Sequence, residues 1–520
     1  LLKFSAGQWN TLVNIGLALC GLAGQDCIGT NKLAPNLVAH LKYRAKKASG
    51  STIARLHALL DSQGRGPFTK RFARYVEFET SDEDWASIEE KIVDVTLPER
   101  RVADLVEEFL VDEKLRDAHR DEVFASNGRR ISIFARLLAS MATPDQRQEF
   151  FNQCFELGSN ASTRFLSSFL LATKAIDAAE WQSFAMRLLA GKRPAVWRVE
   201  TVMSSGFSAP VVDALERFAR EFDEGLHVFK QLGYGFAQQQ LSTGEIERFL
   251  RALMRNPSKA ASVVAMEIAS YWFGGEKKGV LPERLHFELL FSKRMLRAKD
   301  WDTMESHHWG ELAKSFRRNY PARDLDIVRK GLGFKRAIGR IDTMTSLFEL
   351  LSEVCAANPK EAWPIVSEAL DDAGSSDGVS YWLGGDGELS APTDRDGASP
   401  PIAAFIPADI FAWIDMNAKK RALIAADCLP RTFDGRAGEL TLGFATRYAA
   451  QGKVADRLTF RFLMGARSGP ATEWLSKQRE EALAAASKTG SEAVRRWIQK
   501  YVATLSSEID RERINEERRM

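Results

Sequence analysis

Glutamate precedes histidine by three residues at three places in a chain of seven histidines: Glu224/His227, Glu283/His286 and Glu305/His308. On a helix this spacing puts both side chains on one face, the arrangement that di-iron carboxylate bundles use. Such a site needs two pairs facing each other and further glutamates from other helices. These pairs fall on separate predicted units, and one abuts Gly225, so they read as surface or capping histidines. His307-His308, within Asp300 to Glu311, is the best single metal candidate and reads as a solvated helix start. No metal or other cofactor is expected.

Gly374-Ser375-Ser376-Asp377-Gly378 matches the nucleophile-elbow pattern, which works only where a strand turns sharply into a helix beside a histidine. Here it lies in a Gly/Ser/Asp-rich stretch, where such a match is cheap. Asp82, Glu89 and Lys91 have the spacing of a nuclease carboxylate set, but Asp84 to Val95 reads as a helix rather than converging strands. Neither Gly191-Lys192-Arg193 nor Gly452-Lys453-Val454 has the flanking residues of a phosphate-binding loop. Gly331-Leu332-Gly333 lacks the third glycine of a dinucleotide site. The expectation is a chain without catalytic residues of its own.

The strongest binding signal is a basic stretch, Lys314 to Arg340. Lys314, Arg317, Arg318, Arg323, Arg329, Lys330, Lys335, Arg336 and Arg340 stand there against Asp324 and Asp326. Such a run could line a groove and meet an acidic partner or a phosphate backbone. Its commoner meaning is a solvated helix face. Phe316, Tyr320 and Phe334 interleave with the cations and fit the buried sides of the same helices.

Composition bounds these readings. Hydrophobic residues make up 45% of the 520 and charged residues 27%, which argues against disorder. With 72 basic against 69 acidic side chains, no global charge drives the chain toward nucleic acid or an anionic membrane. Cys20, Cys27, Cys154, Cys355 and Cys428 are too scattered for a disulfide framework and read as buried thiols in a reducing cytoplasm. No run approaches the ~18 apolar residues of a membrane span. Leu12 to Ala23 is apolar, and Leu17-Ala18-Leu19-Cys20 loosely matches a lipoprotein box, but it lacks a basic leader and reads as a buried helix. The opening Leu1-Leu2-Lys3-Phe4 is already mid-pattern, so a larger protein is expected to continue upstream.

Helical periodicity is nearly continuous. Val102, Leu105, Val106, Phe109 and Leu110 form one stripe; Val211, Val212, Leu215, Phe218 and Phe222 another. Ile246, Phe249, Leu250, Leu253 and Met254 follow, then Ile498, Tyr501, Val502, Leu505 and Ile509. Thr143-Pro144-Asp145-Gln146 and Ser242 with Glu245 are capping boxes. Asn256-Pro257, Asn358-Pro359 and Gly191 to Pro194 are stops. Tyr75 to Thr80 alternates and Glu439 to Phe444 is ambiguous; neither is assigned to a sheet. The expected fold is all-α, an α-solenoid of degenerate HEAT-like helical pairs with one long insertion loop. Residues 1–80 read as an N-terminal helical segment and 81–370 as the repeat array. Residues 371–405 form the Gly/Ser/Asp/Pro-rich insertion around Tyr381-Trp382-Leu383, and 406–520 the C-terminal repeats with a capping helix.

The C-terminal part resembles the helical region of large bacterial antiphage proteins, chiefly STAND-class NTPases with some sirtuin-linked relatives. Ile406-Pro407, Ile410, Trp413-Ile414, Arg421, Gly465 and Ser468-Gly469-Pro470 carry the resemblance. Val494-Arg495-Arg496-Trp497 and the closing Arg511-Glu512 and Glu516-Glu517-Arg518 extend it, and Leu241 to Glu245 starts an upstream helix in a similar style. Ala466-Arg467 stands where a Trp is expected before the turn. The resemblance implies a non-catalytic ligand sensor that binds a phage protein and triggers an upstream NTPase or effector domain by oligomerising. The other reading is a nucleic-acid-binding helical-repeat protein using the basic stretch, with nuclease or glycosylase activity; a third is an assembly scaffold.

Overall fold

The computed structural model describes residues 66–77, 97–222, 224–274, 279–292, 303–333, 345–372, 375–385, 400–463 and 471–519. No strand occurs among them, and the fold is all-α. Contacts divide the chain into two units, 1–256 and 257–520, with the division at the Asn256-Pro257 stop.

The first unit runs through α1 (Phe68–Phe72), α2 (Leu97–Val111), α3 (Glu113–Ala125), α4 (Ile131–Met141), α5 (Pro144–Leu157) and α6 (Thr163–Ile176). It continues with α7 (Ala178–Ala190), α8 (Ala195–Ser205), α9 (Ala209–Glu221), α10 (Phe236–Gln240) and α11 (Thr243–Arg255). Helix α4 packs on α6 and α6 on α8, while α7 packs on α9 and α9 on α11. Next-but-one packing of this kind is what stacked helical hairpins produce. Both capping boxes form: Thr143 with Gln146 at α5, and Ser242 with Glu245 at α11, exchange side-chain and backbone hydrogen bonds. Val102, Leu105, Val106 and Phe109 are buried, as are Val211, Val212, Leu215 and Phe218. Phe222, the last member of its stripe, is exposed because α9 ends at Glu221.

Phenylalanines run through this core as a continuous chain. Phe72 meets Phe134 edge-on at 5.2 Å, Phe134 meets Phe109 at 5.9 Å, Phe109 meets Phe124 at 6.3 Å, and Phe124 meets Phe165 at 5.0 Å. These rings come from α1, α4, α2, α3 and α6, and each such contact adds about 0.5–1.5 kcal/mol beyond area burial.

The second unit contains α12 (Lys259–Phe273), α13 (Glu283–Phe291), α14 (Thr303–Asn319), α15 (Asp324–Leu332), α16 (Thr345–Ala357), α17 (Pro359–Asp371) and α18 (Ser376–Leu383). After a 3₁₀ turn at Pro401–Ala404 come α19 (Pro407–Asp415), α20 (Ala418–Cys428), α21 (Gly435–Tyr448), α22 (Gly452–Leu463), α23 (Ala471–Lys488) and α24 (Glu492–Arg519). The alternation recurs: α12 packs on α14 and α14 on α16, α15 on α17, α18 on α20, and α20 on α22.

Arginines buried between helices satisfy carbonyls that helix ends leave without intrahelical partners. Arg116 donates to Leu110 O at 3.0 Å, Arg147 to Ala142 O at 2.8 Å, and Arg461 to Leu429 O at 3.3 Å and Gly384 O at 2.8 Å. Arg198 donates to Leu189 O at the end of α7 and to Arg193 O at 2.7 Å. Burial lowers the Arg461 guanidinium to about 10, still protonated at neutral pH.

Some expectations hold and others need correction. The stretch 371–405 is not one long loop. Residues 376–383 form α18, with Val379, Trp382 and Leu383 buried at helical spacing and Trp382 Nε1 donating to Ser352 Oγ at 3.0 Å. Its stretch 386–399 lies outside the described residues. Glu439 to Phe444 is helical, inside α21. Tyr75 lies in a π-helical turn, Ala73–Glu77, while residues 78–80 fall outside the description. Ile498, Tyr501, Leu505 and Ile509 bury on α24, which packs against α23. Leu475 on α23 is buried, whereas Leu483 further along the same helix is exposed. No described helix is long and apolar enough to cross a membrane.

Candidate interaction surfaces

Of the nominated cations, Lys314, Arg317 and Arg318 fall on α14 and Arg329 and Lys330 on α15, whereas Lys335, Arg336 and Arg340 lie outside the described residues. The structure neutralises much of the described set. Arg317 reaches Glu353 at 2.6 Å and Asp324 at 3.3 Å, Lys314 lies 3.6 Å from Glu311, and Arg329 3.1 Å from Asp326. Arg323 lies 2.6 Å from Asp326 and 3.1 Å from Glu283. Arg318 points its Nη2 at Gly274 O from 3.5 Å, a long contact near the end of α12. Lys330 is exposed. Phe316 is fully buried, on the inner side of the same helix.

His227 and His307 are exposed, as expected of surface groups, but His286 and His308 are not. His286 is fully buried: Nε2 donates to Leu312 O at 2.8 Å, which fixes the neutral tautomer, and burial pulls its pKa down to about 4. His308 is also buried, with Nδ1 3.1 Å from Ser270 Oγ. A Ser–His contact is a nucleophile's starting geometry, but Ser270 lies within α12 and His308 within α14, where backbone N–H groups are committed to the helices. This contact reads as a packing pair. Ser376, the elbow candidate, opens α18 from a turn and not from a strand. Among the described residues no three of His, Cys, Asp and Glu converge on a metal-sized site. The described thiols, Cys154, Cys355 and Cys428, are buried, and burial raises their pKa values.

The first unit carries a second charged surface, which no local sequence motif marks. Asp213, Glu216, Arg217 and Arg220 on α9 and Arg248, Ala252 and Arg255 on α11 line a depression of about 240 Å³. The α9 residues recur at i, i+3, i+4 and i+7, and the α11 residues at i, i+4 and i+7, so each set is one helix face. Arg248 pairs with Asp213 and lies 2.9 Å from Glu216. Burial pushes the Glu216 carboxyl up, opposed by Arg248, and the Asp213 hydrogen bond raises Arg248. Arg220 meets Glu221 at 2.9 Å, while Arg217 and Arg255 are exposed with no acidic partner among the described residues. The signal available in the sequence was the polar face opposite the Val211 and Ile246 stripes: Asp213 and Arg248 are 35 residues apart, as are Arg220 and Arg255.

No protein-family model, curated protein or solved structure matches the chain.

Proposed function

We propose that this chain is a non-catalytic helical-repeat binding module, the ligand-sensing region of a bacterial antiviral defence protein that binds a phage protein and triggers an upstream effector. The next-but-one helix packing within each unit supports the binding-module reading most directly. Stacks of this kind contact only their neighbours and leave long lateral faces for a partner. The defence setting rests on the resemblance of the C-terminal helices, including Trp413, Arg421 and Trp497.

Nucleic-acid binding through 314–340 is the weaker reading, because carboxylates already engage Lys314, Arg317, Arg323 and Arg329. The test is titration of the purified chain against individually purified proteins of a phage infecting the same host, read by light scattering. The expected result is a stoichiometric complex with one of them. Failure with all of them, together with tight DNA or RNA binding that weakens steeply with salt, would replace this reading with the nucleic-acid one.

A further inference from the structure

We infer that the depression between α9 and α11 is a docking site for a short acidic peptide segment of a protein partner, its carboxylates held by Arg217, Arg220 and Arg255. The inference rests on the binding-module reading and names where, and by what chemistry, a partner would be held.

The depression is divided by charge along its length. Toward the helix N-termini, Arg248 is already taken up by Asp213 and Glu216. Toward the C-termini, Arg217, Arg220 and Arg255 line the same space, and among the described residues only Arg220 has a carboxylate paired with it, Glu221. An arginine in the last turn of a helix is favourable against the helix dipole, which accounts for Arg220 and Arg255 singly. It does not account for their convergence with Arg217, because like charges sharing one depression raise the energy of the empty site. Guanidinium forks match carboxylates with two parallel hydrogen bonds, so an acidic side chain entering here gains geometry as well as charge.

Ala252 supplies the room. It is 7% exposed and sits on α11 between Arg248 and Arg255, so a longer side chain there would fill the depression. The acids in the same depression select the occupant. A nucleic-acid backbone carries charge at every step and would run past Asp213 and Glu216 at a repulsive cost. A short peptide can place carboxylates at the arginine end and backbone N–H donors at the acidic end.

The test uses the full chain with a short fluorescent Glu-rich peptide, its Gln-substituted counterpart and a single-stranded DNA of equal charge. The Glu-rich peptide should bind in a salt-dependent way and the Gln peptide should not. The double variant Arg217→Gln/Arg255→Gln should lose about tenfold or more in affinity with its melting temperature kept, since both side chains are exposed. Ala252→Glu, which places a carboxylate inside the depression, should lose peptide binding, with circular dichroism confirming that the helices are kept. Unchanged peptide affinity in the double variant, or tighter binding of the DNA through the same arginines, overturns the inference. If a phage protein binds the chain and the double variant binds it equally well, the inference fails while the binding-module reading stands.

Discussion

Arg421 holds both carboxylate oxygens of Asp371, Nε to Oδ1 at 3.0 Å and Nη2 to Oδ2 at 2.7 Å. Its Nη1 donates to Trp413 O at 2.7 Å, and Trp413 Nε1 donates to Oδ2 of the same carboxylate at 3.2 Å. Three helices, α17, α19 and α20, are tied at one point. A part-buried fork of this kind exceeds an exposed pair, and a double-mutant cycle of Asp371→Ala and Arg421→Ala should give a coupling of about 1–2 kcal/mol. Arg421→Lys should recover only part of it, because a single ammonium cannot span both oxygens. Additive losses in denaturant unfolding would show the fork to be energetically idle.

Gly438 sits in the first turns of α21, where an added Cβ would lie 2.1 Å from the Phe433 carbonyl carbon. The obstacle is backbone, so no side chain can swing aside. Gly438→Ala should therefore destabilise the second unit by more than about 3 kcal/mol, whereas Gly452→Ala, with open space around it, should be neutral or slightly stabilising. Thermal melts of the two variants check the contrast. Equal melting temperatures would mean that the Phe433 turn can relax.

The helices and their caps were legible because they depend on local spacing. Thr143/Gln146 and Ser242/Glu245 specify their hydrogen bonds within four residues, and the stripes at Val102, Ile246 and Ile498 show which faces turn inward. What escaped depends on contacts distant in sequence. Val379, Trp382 and Leu383 have helical spacing, but the surrounding glycines and serines masked a helix held by Ser352, 30 residues away. Arg116, Arg147, Arg198 and Arg461 look like surface cations until helix ends are found to aim carbonyls at them. The basic stretch misled in the opposite sense: Glu353, which engages Arg317, lies 36 residues further along, and Glu283 lies well before Arg323. His286 and His308 looked like solvated groups because a lone histidine carries no local mark of burial.

His286 gives the chain a pH dependence whose sign is fixed by its burial. An unfolded histidine titrates near 6.5, while the folded one titrates at about 4. Between those values the unfolded chain binds more protons, so stability falls as pH drops through this window. The contribution is fully present above pH ~6.5 and its loss is complete near the folded value, reaching about 3 kcal/mol as an order of magnitude. His286→Gln keeps a donor for Leu312 O and cannot titrate, so its unfolding free energy should fall less steeply over the same range. Parallel pH profiles for parent and variant would show that His286 is not the group responsible.

Trp497 carries the last prediction. Its ring is 2% exposed on α24, 5.6 Å from Phe462 and 5.9 Å from Phe433, with Tyr501 a turn further on at 6.5 Å. The Gly469-Pro470 turn lies outside the described residues; Phe433, just before α21, and Phe462, on α22, pack against the ring. Truncation to alanine removes the ring from between them and should cost about 3–5 kcal/mol. Trp497→Phe should be far milder, about 1 kcal/mol, for a specific reason. The indole Nε1 is buried with no hydrogen-bond partner among the described residues, so phenylalanine deletes an unsatisfied donor along with some contact area. Ile514, on the same helix but beyond the buried stripe, is 51% exposed, and Ile514→Ala should change stability by no more than about 0.5 kcal/mol. Urea unfolding should rank Trp497→Ala as the most damaging, Trp497→Phe next and Ile514→Ala last. If Trp497→Phe proved as damaging as Trp497→Ala, the indole nitrogen would have to be bonded, and the aromatic cluster alone would not explain the anchoring of α24.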